Sequence, residues 1–275
     1  MINKSFSQKE TPLSEKNGHS VQNAEGWTLY PMDPAPVVDP SGHRPILSPT
    51  QEQMLDEVWD QAKSEYPGLF NGRVFVADAI GAEKISGHWD EYRRVLAQMR
   101  RPDMFRDRPL RQLAVCGLIR CADGIVMGRR RPGSLYLGGY WQMPPAGTVE
   151  SRAGDDNVDL AAQILAEAEE ELGLSREVLK VGDVMFAVEH AVTHIVDIAL
   201  HLETHLCFAD VEQAWRRTGN REYDRLDRIL PDEMQKWKLR SDLVPTARFM
   251  LDAVSGEGLC ADPDSPKNEN CAKSQ

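Results

Sequence analysis

The sequence has no uninterrupted apolar run approaching the roughly 18 residues a membrane span requires. Its opening residues, MINKSFSQKE, hold no apolar stretch of the kind that directs secretion. Cysteine is scarce: Cys116, Cys121, Cys207, Cys260 and Cys271 form an odd set without a C-x-x-C spacing. That argues against a disulfide scaffold and a structural zinc, and it fits a reduced, cytoplasmic protein. An excess of positive charge is also lacking. The 32 Lys+Arg against 43 Asp+Glu give a net charge of −11, which argues against bulk nucleic-acid or anionic-membrane binding while leaving room for a local basic groove. Gly133, Gly138 and Gly139 make no G-x-G-x-x-G or Walker pattern, and there is no internal repeat. In His201-Leu202-Glu203-Thr204-His205 the glutamate is displaced by one from H-E-x-x-H, so the zinc-protease motif fails. What is present, 41% hydrophobic and 27% charged residues over 275 positions, is the make-up of a globular chain of one or two domains.

Seven of the 17 prolines fall within residues 1–49, in a stretch otherwise rich in Ser, Asn, Gln and Lys. Such a segment buries too little apolar area to offset its chain entropy, so 1–47 is expected to be mostly disordered, as is 255–275. Ser48-Pro49-Thr50-Gln51 then offers an N-cap, a proline at the first helical position and a capping-box glutamine. Met54, Leu55, Val58 and Ala62 continue at helical spacing. Short strands are expected around Gly81, and a second helix from near Trp89 to before Pro102. The apolar run Leu113–Ile119 reads as a strand covered on both faces. Asp123-Gly124 turns it into a partner strand, Ile125–Arg129. A Gly-, Pro- and aromatic-rich loop covers 132–149. A helix is expected over Asp159–Leu172 with Gly173 past its end, followed by strands near 184–188 and 195–206 and a last helix over 245–254. Strands with helices between and after them imply an α/β/α sandwich with a mixed sheet over 110–254. A small α+β lead-in subdomain is expected over 48–109.

The most informative segment is Ala166-Glu167-Ala168-Glu169-Glu170-Glu171-Leu172-Gly173-Leu174. On a helix Glu167, Glu170 and Glu171 share one face, beside an apolar stripe of Ala161, Leu165, Ala168 and Leu172. Clustered carboxylates repel. A hard divalent cation that keeps some of its ligands from a substrate phosphate removes that cost; a solvated acidic face is the alternative.

The flanking residues resemble the Nudix hydrolase family, whose box reads G-x5-E-x7-R-E-U-x-E-E-x-G-U with U bulky and apolar. Glu167, Glu170, Glu171, Gly173 and Leu174 fall on its second half. Trp141-Gln142-Met143-Pro144-Pro145-Ala146-Gly147-Thr148-Val149-Glu150 is similar to the family's approach to the box. The hairpin 113–131, ending Gly128-Arg129-Arg130-Arg131, resembles its first strands, and Pro231–Trp237 with Leu243-Val244-Pro245 its closing part. Three features depart from the pattern. Ala166 stands where the family has an arginine, the interval from Gly147 to Ala166 is five residues longer, and the first box glutamate has no counterpart in register. Leu69-Phe70-Asn71-Gly72-Arg73-Val74-Phe75, with Tyr92-Arg93, is similar to the lead-in of the UDP-sugar pyrophosphatase branch.

The resemblance implies a magnesium-dependent hydrolase, manganese being an alternative, that cleaves the diphosphate of a small nucleoside diphosphate derivative, with a UDP-sugar favoured. Glu167, Glu170 and Glu171 would hold the metal, Glu170 and Glu171 in catalytic roles, and Arg129, Arg130 and Gly147 would face the ligand. Glu150 is one candidate acid–base group. Glu203 is another, on a strand whose Val196, Ile198, Leu200 and Leu202 face one side and Asp197, His201, Glu203 and His205 the other. Two alternatives stay open: a catalytically degenerate module binding a nucleotide as a sensor, and an isoprenoid diphosphate isomerase-like enzyme. Seven arginines between Arg93 and Arg111 could form an anion-steering rim or pair with surface acids. Cys116 reads as a core residue.

Overall fold

The computed structural model describes residues 21–22, 26–105, 108–152 and 156–255. The chain before the first helix is more ordered than its composition implies. After β1 (Val21–Gln22), strand β2 (Trp27–Pro31) pairs antiparallel with β10 (Lys180–His190). Strand β3 (Val37–Asp39) pairs parallel with β5 (Lys84–Glu91). The expectation of disorder over 1–47 is therefore corrected for 26–47. Trp27 is 7% exposed and its ring lies 4.5 Å from that of His190, so one large apolar side chain and a strand pairing supply what the surrounding prolines do not. Residues 1–20 and 256–275 lie outside the described residues.

Ser48 caps helix α1 (Pro49–Glu65), its Oγ accepting from the Gln51 N–H at 3.3 Å while Gln51 Oε1 accepts from the Ser48 N–H at 3.0 Å. Leu55, Val58 and Ala62 are buried. Strand β4 (Arg73–Ile80) forms a hairpin with β5, and α2 (Tyr92–Arg100) follows. Trp89 belongs to β5 rather than to the second helix: its ring packs edge-on against cross-strand Phe75 at 5.4 Å, which extends the ladder to Glu91. The arginine stripe resolves into ion pairs. Arg93 meets Glu91 and Asp56, Arg94 meets Asp90, Arg100 meets Glu65, Arg101 meets Asp103, Arg108 meets Asp78 and Arg111 meets Glu189. Its described members form no free basic rim.

Strand β6 (Arg111–Cys121) is the centre of the sheet. It pairs parallel with β11 (Val196–Glu203) and antiparallel with β4, with β7 (Gly124–Arg130) and with the short β9 (Ala146–Thr148). β7 also pairs with β8 (Trp141–Gln142) and with β12 (Tyr223–Ile229). Its continuous apolar run arises because both faces are covered. Val115 and Ile119 join a core with Ile164, Ala168 and Leu172 of α3 (Leu160–Leu172) and Val211 of α4 (Phe208–Thr218). Cys116 and Leu118 join another with Trp237 of α5 (Met234–Lys238) and Met250 of α6 (Pro245–Val254). The result is an α/β/α sandwich on a mixed sheet. Helices α1 and α2 form a third cluster with β4, through Leu55, Val95 and Val76. Among the described residues no helix is long and apolar enough to cross a membrane.

Candidate active site

Asp159 starts α3 by accepting the Ala162 N–H at 3.0 Å, and Gly173 ends it at φ 68°, a conformation glycine adopts without a Cβ penalty. The buried stripe is Leu160, Ile164, Ala168 and Leu172, which corrects the expected one: Ala161 and Leu165 are only partly buried, one position further round the helix. This orientation presents the three carboxylates to different surroundings. Glu171 is 6% exposed. Its Oε2 accepts from Tyr223 Oη at 2.9 Å and from the Ala146 N–H at 3.2 Å. Burial, with Glu167 and Glu222 nearby, pushes the Glu171 carboxyl well above the ordinary range against the pull of those hydrogen bonds. Glu167 is partly buried, and burial raises its carboxyl as well, with Arg152 opposing and Glu170 adding to the rise. Glu170 is 61% exposed at its side chain.

A cavity of about 350 Å³ opens beside this face, lined by Glu167, Glu171, Gly147, Arg130, Asp197 and Thr246 among others. That volume is in the range of small-molecule pockets. Gly147 lets the Glu167 carboxylate pack against the backbone: a Cβ there would lie 2.3 Å from the carboxylate carbon, so Glu167 would have to move. Arg130 is fixed in the wall by three acceptors. Its Nε donates to the Tyr136 carbonyl at 3.0 Å, Nη1 donates to Gln142 Oε1 at 3.0 Å, and Nη2 pairs with Glu222 at 2.9 Å. Gln142 Nε2 in turn donates to Tyr223 Oη at 2.6 Å. A continuous polar chain thus runs from Arg130 through Gln142 and Tyr223 to Glu171. Such a chain fixes rotamers that a solvated acidic face would leave free.

Several expected site residues lie elsewhere. Arg129 follows the strand alternation to the other face and makes a bidentate pair with Asp224, 2.8 Å for each bond. Glu203 is at the far end of β11 beside Lys180 and register partner Arg120, about 20 Å along the strand from Asp197 at ~3.3 Å per residue. Neither lines the cavity, and Glu203 is set aside as an acid–base candidate. Glu150 is exposed just past β9. Surrounding protein and Glu170 push its carboxyl up, with Arg152 opposing. Glu170 does not line the cavity. Cys116, by contrast, is a core residue that also borders the cavity, its thiol pushed well up by burial.

Of the expected polar face of β11, Asp197, second residue of the strand, is the member that lines the cavity. Parallel pairing of β11 with β6 brings it there. Thr246 Oγ1 donates to its Oδ2 and the Cys116 thiol also hydrogen-bonds it, while burial raises its carboxyl.

Among the described residues no group of three or more His, Cys, Asp or Glu side chains is gathered as a ready metal cage. The donor set nevertheless fits a hard divalent cation. Carboxylates of Glu167 and Glu171 share one wall, and a cation there would relieve the repulsion between them.

No family model matches the chain. No curated protein matches it. Among solved structures it is similar to a MutT protein from Methanosarcina mazei Go1, at 20% identity over 54% of this chain and 96% of that one, TM-score 0.41. It is also similar to a NUDIX-family hydrolase from Clostridium perfringens, at 12% identity over 54% and 98%, TM-score 0.35. An ADP-ribose pyrophosphatase from Streptococcus suis 89-1591 aligns at 12% identity over 55% and 93%, TM-score 0.33.

Proposed function

We propose that this chain is a Nudix-type, divalent-cation-dependent hydrolase that cleaves the diphosphate of a small nucleoside diphosphate derivative. The observation that carries the reading is the meeting, in one cavity wall, of the Glu167 and Glu171 carboxylates with Gly147 and the fixed guanidinium of Arg130. Arg130 would orient a diphosphate oxygen without a further loss of side-chain freedom. Glu167 and Glu171 would hold the cation, magnesium or manganese, which neutralises phosphate charge and activates water. Glu171 is held at Oε2 by Tyr223 and Ala146, so Oε1 would be the oxygen offered to the cation. Thr148, Tyr92 and Met99 also line the cavity. The lead-in helix α2 therefore contributes wall to the pocket, in keeping with a nucleotide sugar as substrate.

Asp197 is proposed to accept a hydrogen bond from a donor group of the nucleoside or sugar, since one of its oxygens is already held by Thr246. A second reading, a sensor that binds without turnover, draws on a specific feature: Glu167, Glu170 and Glu171 all have side-chain hydrogen-bond partners within the protein. Incubation with magnesium and a panel of UDP-sugars, ADP-ribose, dinucleotides and prenyl diphosphates, read by mass spectrometry, separates these cases. Release of a nucleoside monophosphate is the expected result. Binding without turnover would favour the sensor, an isomerised prenyl product the isomerase, and equal turnover of ADP-ribose and UDP-glucose would remove the preference for a UDP-sugar.

A further inference from the structure

The thirteen residues of α3, LAAQILAEAEEEL, carry four glutamates and no basic residue. Counter-charge for the acidic face has to come from outside the helix, and it comes from the loop after β9. The Arg152 guanidinium lies along the helix, with Nε donating to Gln163 Oε1 at 3.2 Å, Nη2 to Glu167 Oε1 at 2.9 Å and Nη1 to Glu170 Oε1 at 2.9 Å. The three acceptors stand at i, i+4 and i+7, so one planar fork spans about two helical turns. Gln163 completes the grip. Its Nε2 donates to the same Glu167 Oε1 at 2.7 Å and to the Thr148 carbonyl at 2.9 Å.

The direction of this grip decides what it does. Arg152 does not line the cavity. It lines a separate small cleft with Val149, Asp159 and Gln163. Glu167 Oε1 is thus held by Arg152 and Gln163, neither of which lines the cavity, while Oε2 lies nearer than Oε1 to the cavity-lining Gly147. An arginine occupying the cation's own position would lie on the cavity side.

We propose that Arg152 is a positioning residue: it fixes the Glu167 and Glu170 carboxylates from behind and lowers their mutual repulsion, so that Glu167 presents its cavity-side oxygen to a divalent cation. This rests on the reading of α3 as the cation-binding face. The arrangement makes a prediction that simple electrostatics reverses. Deleting a neighbouring positive charge should by itself tighten cation binding, whereas losing the positioning should weaken it.

The test uses the full chain and Mn2+ as probe, with binding followed by the loss of the free-ion electron paramagnetic resonance signal. Arg152→Ala and Arg152→Gln are expected to bind Mn2+ roughly 10- to 100-fold more weakly than wild type, the usual cost of removing a partner that orients a ligand. Arg152→Lys, which restores charge without the fork, should fall between. Turnover of the diphosphate substrate should drop in kcat more than it rises in KM. Melting without metal should change little, because Arg152 is 42% exposed at its side chain. Unchanged or tighter Mn2+ binding by Arg152→Ala and Arg152→Gln, with wild type binding normally, would overturn this assignment alone. Absence of Mn2+ binding by wild type would overturn both it and the reading of α3.

Discussion

Tyr223 and Glu171, 52 residues apart in sequence, meet in the interior through a 2.9 Å hydrogen bond from the phenol to the carboxylate. Tyr223 is fully buried and also accepts from Gln142, so its hydroxyl couples β12, β8 and α3 at one point. Tyr223→Phe leaves the shape and removes the hydroxyl. Gln142 loses an acceptor and Glu171 one of its two donors. The expected cost is about 1–3 kcal/mol of unfolding free energy, the range for leaving buried polar groups unsatisfied. Urea unfolding measures it, and a change under 0.5 kcal/mol would show that the chain from Arg130 to Glu171 is not a coupled unit.

Glu171→Gln separates charge from shape. In the metal-free protein the Glu171 carboxyl is raised well above its ordinary value by burial and by Glu167 and Glu222. A carboxyl raised on folding contributes stability below its unfolded pKa and loses that contribution as pH rises through the folded value. At neutral pH and above, the charge therefore weighs against folding, and Glu171→Gln should be as stable as wild type or more so. Cation stabilisation should shrink, a ligand at about 100 times its dissociation constant being worth roughly 2.7 kcal/mol. Turnover should fall about 100- to 1,000-fold, or about 2.7–4 kcal/mol of barrier. Glu170→Gln should act in the same direction through its pairing with Arg152, and exposed Glu169→Gln should be silent. Melting with and without magnesium, alongside turnover, checks all three. Wild-type turnover and the same magnesium shift in every variant would mean that the acidic face does not hold the cation.

Much of this arrangement is local and so was legible in the sequence. The Ser48 capping box, the helical span of α3, Gly173 and the doubly covered β6 each depend on residues within one or two turns or one strand. The misplacements are non-local. Alternation placed Asp197 and Glu203 on one face of β11, but only the parallel register with β6 decides which end reaches the cavity. The pleat put Arg129 and Arg130 on opposite faces, yet only the contacts of β7 with β8 and β12 show which face is the site. Arg152 and Tyr223 carry no motif of their own. Trp27 and its strand needed β10, to which Tyr30 is tied by a hydrogen bond to Glu189 spanning 159 residues.

That last pairing yields a stability prediction. A chain beginning at Pro45 loses β2, the burial of Trp27 and the ion pairs of Arg44 with Asp90 and Glu91. It should lose more than about 2 kcal/mol, and Trp27→Ala alone about 3–5 kcal/mol, the range for emptying a buried aromatic site. Denaturant midpoints for both forms decide this. A truncation that melts within a few degrees of the full chain would mean that β2 adds nothing to the fold.

His88 offers a pH test away from the cavity. It is 2% exposed, with Nδ1 3.0 Å from Asp78 and Nε2 3.6 Å from Asp90. Burial disfavours the imidazolium, but the charges of Asp90 and Asp78 and the hydrogen bond to Asp78 outweigh it, and the His88 pKa is raised above 6.5. The folded state therefore binds this proton more tightly than the unfolded chain. The resulting stability is complete below the unfolded pKa and is lost as pH rises through the folded one. Unfolding free energy should decline as pH rises above 6.5 more steeply in wild type than in His88→Gln. Parallel profiles from urea unfolding would contradict the assignment.

Asp197→Asn tests how the ligand is read. The carboxylate borders the cavity, with Thr246 donating to Oδ2 and the Cys116 thiol also in contact. Asparagine keeps the shape and one accepting oxygen, so Thr246 can retain its partner. The other position becomes an N–H donor and faces whatever donor the carboxylate would accept from. A donor set against a donor loses the bond and leaves both groups desolvated, a cost of about 1–3 kcal/mol. That corresponds to roughly 5- to 150-fold in affinity. Because Asp197 is on β11 and the carboxylates proposed to hold the cation are on α3, the loss should appear in KM, while kcat and the expected magnesium-induced rise in melting temperature stay near wild type. Steady-state kinetics and melting curves on the same preparations supply both readouts. A fall in kcat with unchanged KM would assign Asp197 to the chemical step, and wild-type values for both constants would make it a structural partner of Thr246 at the start of α6.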